Sequence, residues 1–156
     1  MIAVSDGCVW CVDSTSTPLP NFTFTGEHSV LEENCVIRNG LAADGDGTMR
    51  IGRANLVQVG AVLEVPSVGD GNVFEPRCTV PSTVGSVGSG CVVGAGVTVP
   101  GGDPLPDGSV LYLSAAPGED PVVLRRSQSN LKARNEASTK SYAQHFCETP
   151  LEFKLA

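Results

Sequence analysis

From Val87 to Leu111 an aliphatic side chain returns at every sixth position: Val87, Val93, Val99, Leu105 and Leu111. Valine, isoleucine and leucine supply 36 of the 156 residues, so four further matches after a first arise by chance about three times in a thousand starts. The same phase picks out Val68, Phe74 and Val80, then Ile51, Val57 and Leu63, then Leu31 and Ile37, and at the start Val4 and Trp10. A fixed period sustained over this much chain marks a repeat architecture.

Two other positions of the unit are biased. The second holds Gly52, Gly69, Gly88, Gly94, Pro100 and Pro106, residues that suit a turn where φ is positive or fixed. The fifth is mostly small or apolar, as at Ser29, Cys35, Asn55, Ala61, Cys78, Val84, Cys91, Val97 and Ser109. This is the hexapeptide pattern of a left-handed parallel β-helix, a mostly-β solenoid with three short strands and three turns in each coil of about eighteen residues. Each first-position side chain points inward and stacks on its equivalent one coil away, at about 4.8 Å. Large groups do not fit the corners of so narrow a prism, which accounts for the small fifth positions. The 21 valines against 3 isoleucines and 12 leucines agree with strands over helices.

The predicted core is therefore Ile51, Val57, Leu63, Val68, Phe74, Val80, Val87, Val93, Val99, Leu105 and Leu111. Phase breaks predict bulges or outward loops: seven residues separate Val80 from Val87 and five separate Leu63 from Val68. Leu41 to Thr48 reads as a polar loop, and Val12 to Phe24, with Pro18 and Pro20, is the least regular stretch. After Ser114 the pattern stops. Residues 1–114 are read as the β-helix and 115–156 as a linker and C-terminal helical tail, in which Leu124, Leu131, Tyr142 and Phe146 supply an apolar stripe against the prism.

A net charge of −7 argues against binding phosphate backbones or anionic membranes as a global role. No stretch approaches the roughly 20 apolar residues of a membrane span, and the opening residues lack a basic n-region, so a cytoplasmic protein with free thiols is expected. A three-histidine zinc site is excluded within one chain, because His28 and His145 are the only histidines. His28, at the fourth position of its unit, is a solvated turn residue or, less simply, a general base for acyl transfer. Cys8 and Cys11 form CVWC, but no second CxxC follows to complete a four-thiolate site. GDGNV and GSGCVVGAG lack the Lys-Ser/Thr of a phosphate loop and are turns of the repeat. Asn21-Phe22-Thr23 is a formal glycosylation acceptor, silent without secretion. Arg125-Arg126-Ser127 offers Ser127 as a phosphorylation site, or its arginines to an acidic partner. No catalytic residue, metal or cofactor is assigned.

The runs GDGNVFE at 69–75, CVVGA at 91–95, LPDGSVLY at 105–112 and LRR at 124–126 resemble one family closely. Val4 to Val12 and IGRANLV at 51–57 extend the likeness. It is the dynactin subunit six family, one of two left-handed β-helix subunits in dynactin's pointed-end complex. The resemblance implies a non-catalytic structural or adaptor subunit in the cytoplasmic cytoskeleton. Its implied partners are a sister β-helix subunit, an actin-related protein and a larger zinc-binding subunit, with dynein cargo adaptors reached indirectly. The chain departs from the family at the short 63–68 connection, at 115–121 and beyond Ser127. The alternative is a hexapeptide-class acyltransferase or an inactive γ-carbonic-anhydrase-like subunit.

Replacing the inward Val93 with aspartate is expected to bury an unpaired charge among stacked aliphatics and to unfold the solenoid locally, at a cost of several kcal/mol. A thermal melt of Val93→Asp checks the register: an unchanged transition would contradict it.

Overall fold

The computed structural model describes residues 2–4, 9–12, 22–24, 27–39, 48–115 and 122–148, with backbone only in 2–24 and 146–148. Its strands are β1 (Ile2–Val4), β2 (Val9–Val12), β3 (Phe22–Phe24), β4 (Ser29–Leu31), β5 (Val36–Asn39), β6 (Met49–Ile51), β7 (Leu56–Val57) and β8 (Val62–Leu63). There follow β9 (Ser67–Val68), β10 (Val73–Phe74), β11 (Thr79–Val80), β12 (Ser86–Val87), β13 (Val92–Val93), β14 (Ser109–Ser114) and β15 (Val122–Ser127). A single helix, α1 (Leu131–Glu148), follows the last strand.

Up to β13, each strand pairs in parallel with the strand three places on, so three consecutive strands make one coil. The three sheets run β1-β4-β7-β10-β13-β14-β15, β2-β5-β8-β11 and β3-β6-β9-β12. Single bridges, Thr79 to Thr98 and Val87 to Leu105, carry the two shorter sheets one coil further. The fold is a left-handed parallel β-helix followed by a C-terminal helix, with the hexapeptide as its unit.

Register turns the sequence phase into three internal columns. Leu31, Val57, Phe74, Val93 and Leu111 stack in the first. Ile37, Leu63 and Val80 form the second, and Ile51, Val68, Val87 and Leu105 the third. Every one of these side chains, and Val99, is at most 5% exposed. The fifth-position residues Ser29, Cys35, Asn55, Ala61, Cys78, Val84, Cys91, Val97 and Ser109 are buried at the corners between columns. The seven-residue step after Val80 is taken up by a 3₁₀ turn at Ser82–Val84, closed by Gly85 at φ +78°.

Three expectations need correction. Positive φ falls at the fourth position of the unit, in Gly60, Gly71, Gly90, Gly96 and Gly108 and also in Asn34, Ala54 and Arg77. At Gly52, Gly69, Gly88 and Gly94 the second position needs glycine for another reason, the close approach of stacked coils, while Gln58 and Glu75 stand at the same position elsewhere. A Cβ on Gly52 would lie 2.7 Å from the carbonyl oxygen of Gly69, and one on Gly69 would lie 2.7 Å from that of Gly88. The second correction concerns the tail: Val122–Ser127 is a strand, antiparallel on β14, and the helix begins only at Leu131. The β-branched pair Val122-Val123 and the open edge of β14 win over the helix formers beside them. Leu124 therefore sits exposed on β15, apart from the helical stripe. The third concerns Val12 to Phe24, expected as bulges or outward loops and not strands: Val12 ends β2 and Phe22–Phe24 is β3, while 13–21, the polar loop expected at 41–48 apart from the buried Thr48, and Cys8 lie outside the described residues.

Gly69→Ala forces a methyl against the next coil's backbone, which has no flexible side chain to yield. Overpacking of this kind costs about 2 kcal/mol, and urea denaturation of the variant is expected to show it, while the exposed Thr98→Ala leaves the midpoint unchanged.

Candidate functional site

The fourth and fifth positions at one edge of the prism build a continuous polar seam. Asn55 Nδ2 donates to the carbonyls of Gly52 and Gly69, both at 2.9 Å. Its Oδ1 accepts from the Asn72 amide at 2.9 Å, and Asn72 Oδ1 accepts from the Cys91 amide at 2.7 Å. Ser29 Oγ accepts from the Asn55 amide at one end, and Ser109 Oγ donates to the Pro106 carbonyl at the other. Outside this buried ladder runs a second one at the third positions. There Asp70 Oδ1 accepts from the Arg53 amide, Ser89 Oγ from the Asp70 amide, and Asp107 Oδ1 from the Ser89 amide.

Helix α1 lies along this seam. Its buried face is Leu131, Asn135, Thr139 and Ala143, one residue per turn and mostly small or polar. Gly71 and Gly90 allow the contact, since a Cβ on Gly90 would lie 2.6 Å from the Lys132 amide nitrogen. Asn135 Nδ2 donates to the Gly71 carbonyl at 2.9 Å, Lys132 Nζ reaches Asp70 at 3.1 Å, and Tyr142 donates to Glu32 at 3.0 Å. At the far end Ala143 packs on Val30 and Leu56. Burial pushes the Asp70 carboxyl up, but the Arg53 amide and the Lys132 ammonium outweigh it and hold the group below its ordinary value. Burial and the facing Glu32 push the Tyr142 phenol up.

Where the seam carries Ala54 and His28 in place of glycine, the helix stands off and leaves a cavity of about 340 Å³. Glu27, His28, Arg53, Glu136 and Lys140 give it a mixed-charge wall, and alanines form the rest. His28 sits at φ +59°, with its Nδ1 buried and without a hydrogen-bond partner. His145 lies elsewhere, on an exposed turn of α1 beside Tyr142, Leu56 and Gln58. The two histidines are not brought together, and among the described residues no three His, Cys, Asp or Glu side chains group as metal ligands. Cys35, Cys78 and Cys91 are buried, and Cys78 and Cys91 are free thiols. Burial pushes the Cys78 thiol up to about 12 and raises that of Cys91, so neither is a nucleophile at neutral pH. Of CVWC, Cys8 is outside the described residues and only the backbone of Cys11, on β2, is placed. GDGNV and GSGCVVGAG are corners of the prism. Ser127 is the exposed last residue of β15, and Arg125 and Arg126 beside it are exposed too.

Sequence reasoning missed the helix-docking residues Asn135, Thr139 and Lys132, and Asn72 in the ladder. Asn72 had a signal, since it is the fifth residue of the unit opened by Val68. The helix face offered only the spacing of four, without the large apolar groups that make such a stripe visible.

No protein-family model matches the sequence. Curated relatives do: dynactin subunit 6 of Xenopus tropicalis is 35% identical over 94 residues, covering 56% of this chain and 46% of the relative. The proteins of the same name from Nematostella vectensis and Danio rerio are 30% and 32% identical over 95 residues, 56% of this chain, covering 50% and 48% of their own lengths. This chain is similar to dynactin subunit 6. It spans about half the length of the dynactin subunit 6 proteins it matches. Among solved structures, a hexapeptide transferase family protein from Anaplasma phagocytophilum superposes over 96% of this chain and 93% of its own, with a TM-score of 0.54 at 12% identity. That likeness is one of fold.

The Asp70–Lys132 contact gives helix docking a pH dependence. A carboxyl depressed in the folded state contributes stability above its unfolded value, near 3.9, and loses it as pH falls through the lower folded value. Amide protection factors in α1, exchange rates corrected for their intrinsic pH dependence, are expected to be flat from pH 5 to 8 and to fall below about pH 4, with Asp70→Asn abolishing the acid step. An acid step that survives in that variant would place the titrating group elsewhere.

Proposed function

We propose that this chain is a non-catalytic structural subunit of dynactin, working within the pointed-end complex that supports dynein-driven transport of cargo on microtubules. The observation that carries the reading is the 30–35% identity to dynactin subunit 6 proteins of three animals. The architecture supports it. A parallel solenoid with stacked aliphatic columns is stiff, and its end coils leave backbone donors and acceptors that a neighbouring subunit can cover. Its partners in this reading are a sister β-helix subunit, an actin-related protein and a larger zinc-binding subunit, with cargo adaptors engaged indirectly, in the cytoplasm. Ser127, exposed behind two arginines, is the candidate for phosphorylation.

One observation favours a second reading, an acyltransferase of the hexapeptide class. His28 carries an unpartnered Nδ1 at the wall of the cavity beside α1, and an imidazole nitrogen with no partner can take up a proton. Such an enzyme works as a trimer with its site in the cleft between subunits.

Affinity purification of the tagged protein from its own cytosol, with mass spectrometry and native sizing, separates the two. Co-purification of a sister β-helix subunit, an actin-related protein and dynein components is the expected result. A homotrimer free of all three would overturn the scaffold and call for an acyl-transfer assay of His28→Ala.

A further inference from the structure

The last strand of the long sheet ends in an edge unlike any other among the described residues. β15 pairs antiparallel with β14, from Ser109 opposite Ser127 to Ser114 opposite Val122, and among the described residues no strand lies beyond it. In such a pair, alternate N–H and C=O groups of β15 bond to β14 and the others point away from it. Side chains alternate as well. Val123 packs against the end of the core, and Arg125, on the same face, lines a depression of about 190 Å³ with Val99, Leu105 and Leu111. The opposite face carries Val122, Leu124 and Arg126. Val122 and Leu124 are 57% and 41% exposed, and the Arg126 guanidinium stands 5.6 Å from the ring of Tyr112.

Charge selects the occupant. The chain has a net charge of −7, yet here two adjacent arginines stand exposed, with no ion pair to either among the described residues. A second copy pairing through the same edge would crowd four guanidinium groups along roughly 20 Å of strand, which like-charge repulsion disfavours. A cationic or neutral strand gains nothing from them, whereas an acidic one gains on both faces. We propose that β15 is a docking edge for an extended acidic segment of a partner protein. The segment adds to the sheet as a further strand, sets carboxylates against Arg125 and Arg126, and lays aliphatic side chains on Val122 and Leu124. This goes beyond the dynactin reading and does not rest on it, since the edge and its charge serve a partner in any assembly.

The test is a titration of the full chain with a fluorescein-labelled, end-capped heptapeptide, Thr-Glu-Glu-Val-Thr-Val-Thr, which in antiparallel pairing sets its adjacent glutamates opposite Arg126 and Arg125 and its valines opposite Leu124 and Val122, followed by anisotropy at low salt, with hydrogen exchange to locate the site. Saturable binding is expected, with new protection of the 122–127 amides. The folded double variant Arg125→Glu/Arg126→Glu should weaken it at least tenfold, and Arg134→Glu, a charge reversal on the helix, should leave it unchanged. A peptide N-methylated at alternate residues, which cannot complete the strand pairing, should not bind. Equal binding of the methylated peptide or by the double variant, protection elsewhere, or no binding at all would overturn the proposal and leave the arginines as guards of an idle edge. So would a concentration-dependent dimer through β15. The titration uses no cellular partner, so its failure leaves the dynactin reading standing, and the purification can fail while the titration succeeds.

Discussion

The hydrogen bond from an amide of one coil to a carbonyl of the next is the interaction on which the rest of this molecule depends. Val30 to Asn55, Leu56 to Asn72 and Val73 to Cys91 repeat it along one corner at 2.9 Å each. Once coils are locked at that spacing, each position of the six-residue unit meets its own requirement. The first must fill a column whose neighbours above and below are also aliphatic. The second must carry no bulk at the four places where one coil's Cα faces another's carbonyl, Gly52, Gly69, Gly88 and Gly94, and takes larger residues such as Gln58 and Glu75 elsewhere. The fourth turns the chain with positive φ, and the fifth must be small, or polar in a way that joins the ladder. Asn55 satisfies this last demand by copying the backbone pattern with both ends of its side-chain amide, and Asn72 with its oxygen alone, its Nδ2 being buried without a partner. A buried polar residue is tolerated there because each coil supplies the next with a matching partner.

Helix α1 docks by the same geometry. An apolar stripe would find little to grip on a corner made of backbone, and the helix instead meets it with residues small enough to approach, of which Asn135 bonds to the backbone and Thr139 is buried with its hydroxyl unpartnered. Leu131 anchors the start, Asn135 takes the free carbonyl of Gly71, and Ala143 closes on Val30. The two glycines at this corner are needed twice, once for their turn and once for the helix passing over them. Ala54 and His28, at the same position of earlier coils, fill the turn but not the second need. The helix parts from the prism at that point, and the cavity beside His28 follows from the substitution of two side chains for none.

The prism was legible in the sequence because its core rule acts at a fixed spacing and through one side-chain property. Val93 between Phe74 and Leu111 obeys the same constraint as Val57 between Leu31 and Phe74, and a reader of the linear chain sees the repetition directly. The role of the second-position glycines was read wrongly because proximity between coils, unlike a turn, leaves no local signature. The strand at 122–127 was hidden for a related reason. Its arginines and serine suit a helix as well as an edge, and only the unpaired side of β14 decides between them. Helix docking was least legible of all, since Asn135 and Thr139 on an isolated helix read as solvent-facing. His28 could be placed at a turn from its phase, but its unpartnered nitrogen depends on where α1 comes to lie.

A solenoid of this kind has little chemistry to offer from its interior. The columns are hydrocarbon, and the corner thiols of Cys78 and Cys91 are held protonated by burial. What remains is its backbone at the ends, and the two ends differ. At one, β1, β2 and β3 each have a single partner among the described residues, so three parallel edges face the same way. At the other, the chain folds back once and covers one of the three sheets with β15, reversing the strand direction there and placing its two arginines at the rim. A flat end with three parallel edges favours another coil of the same shape. A single antiparallel strand with side chains of one charge favours a lone extended segment. Among the described residues the same repeating hydrogen bond is left open in two geometries, which suits the proposal of a structural subunit set between unlike neighbours.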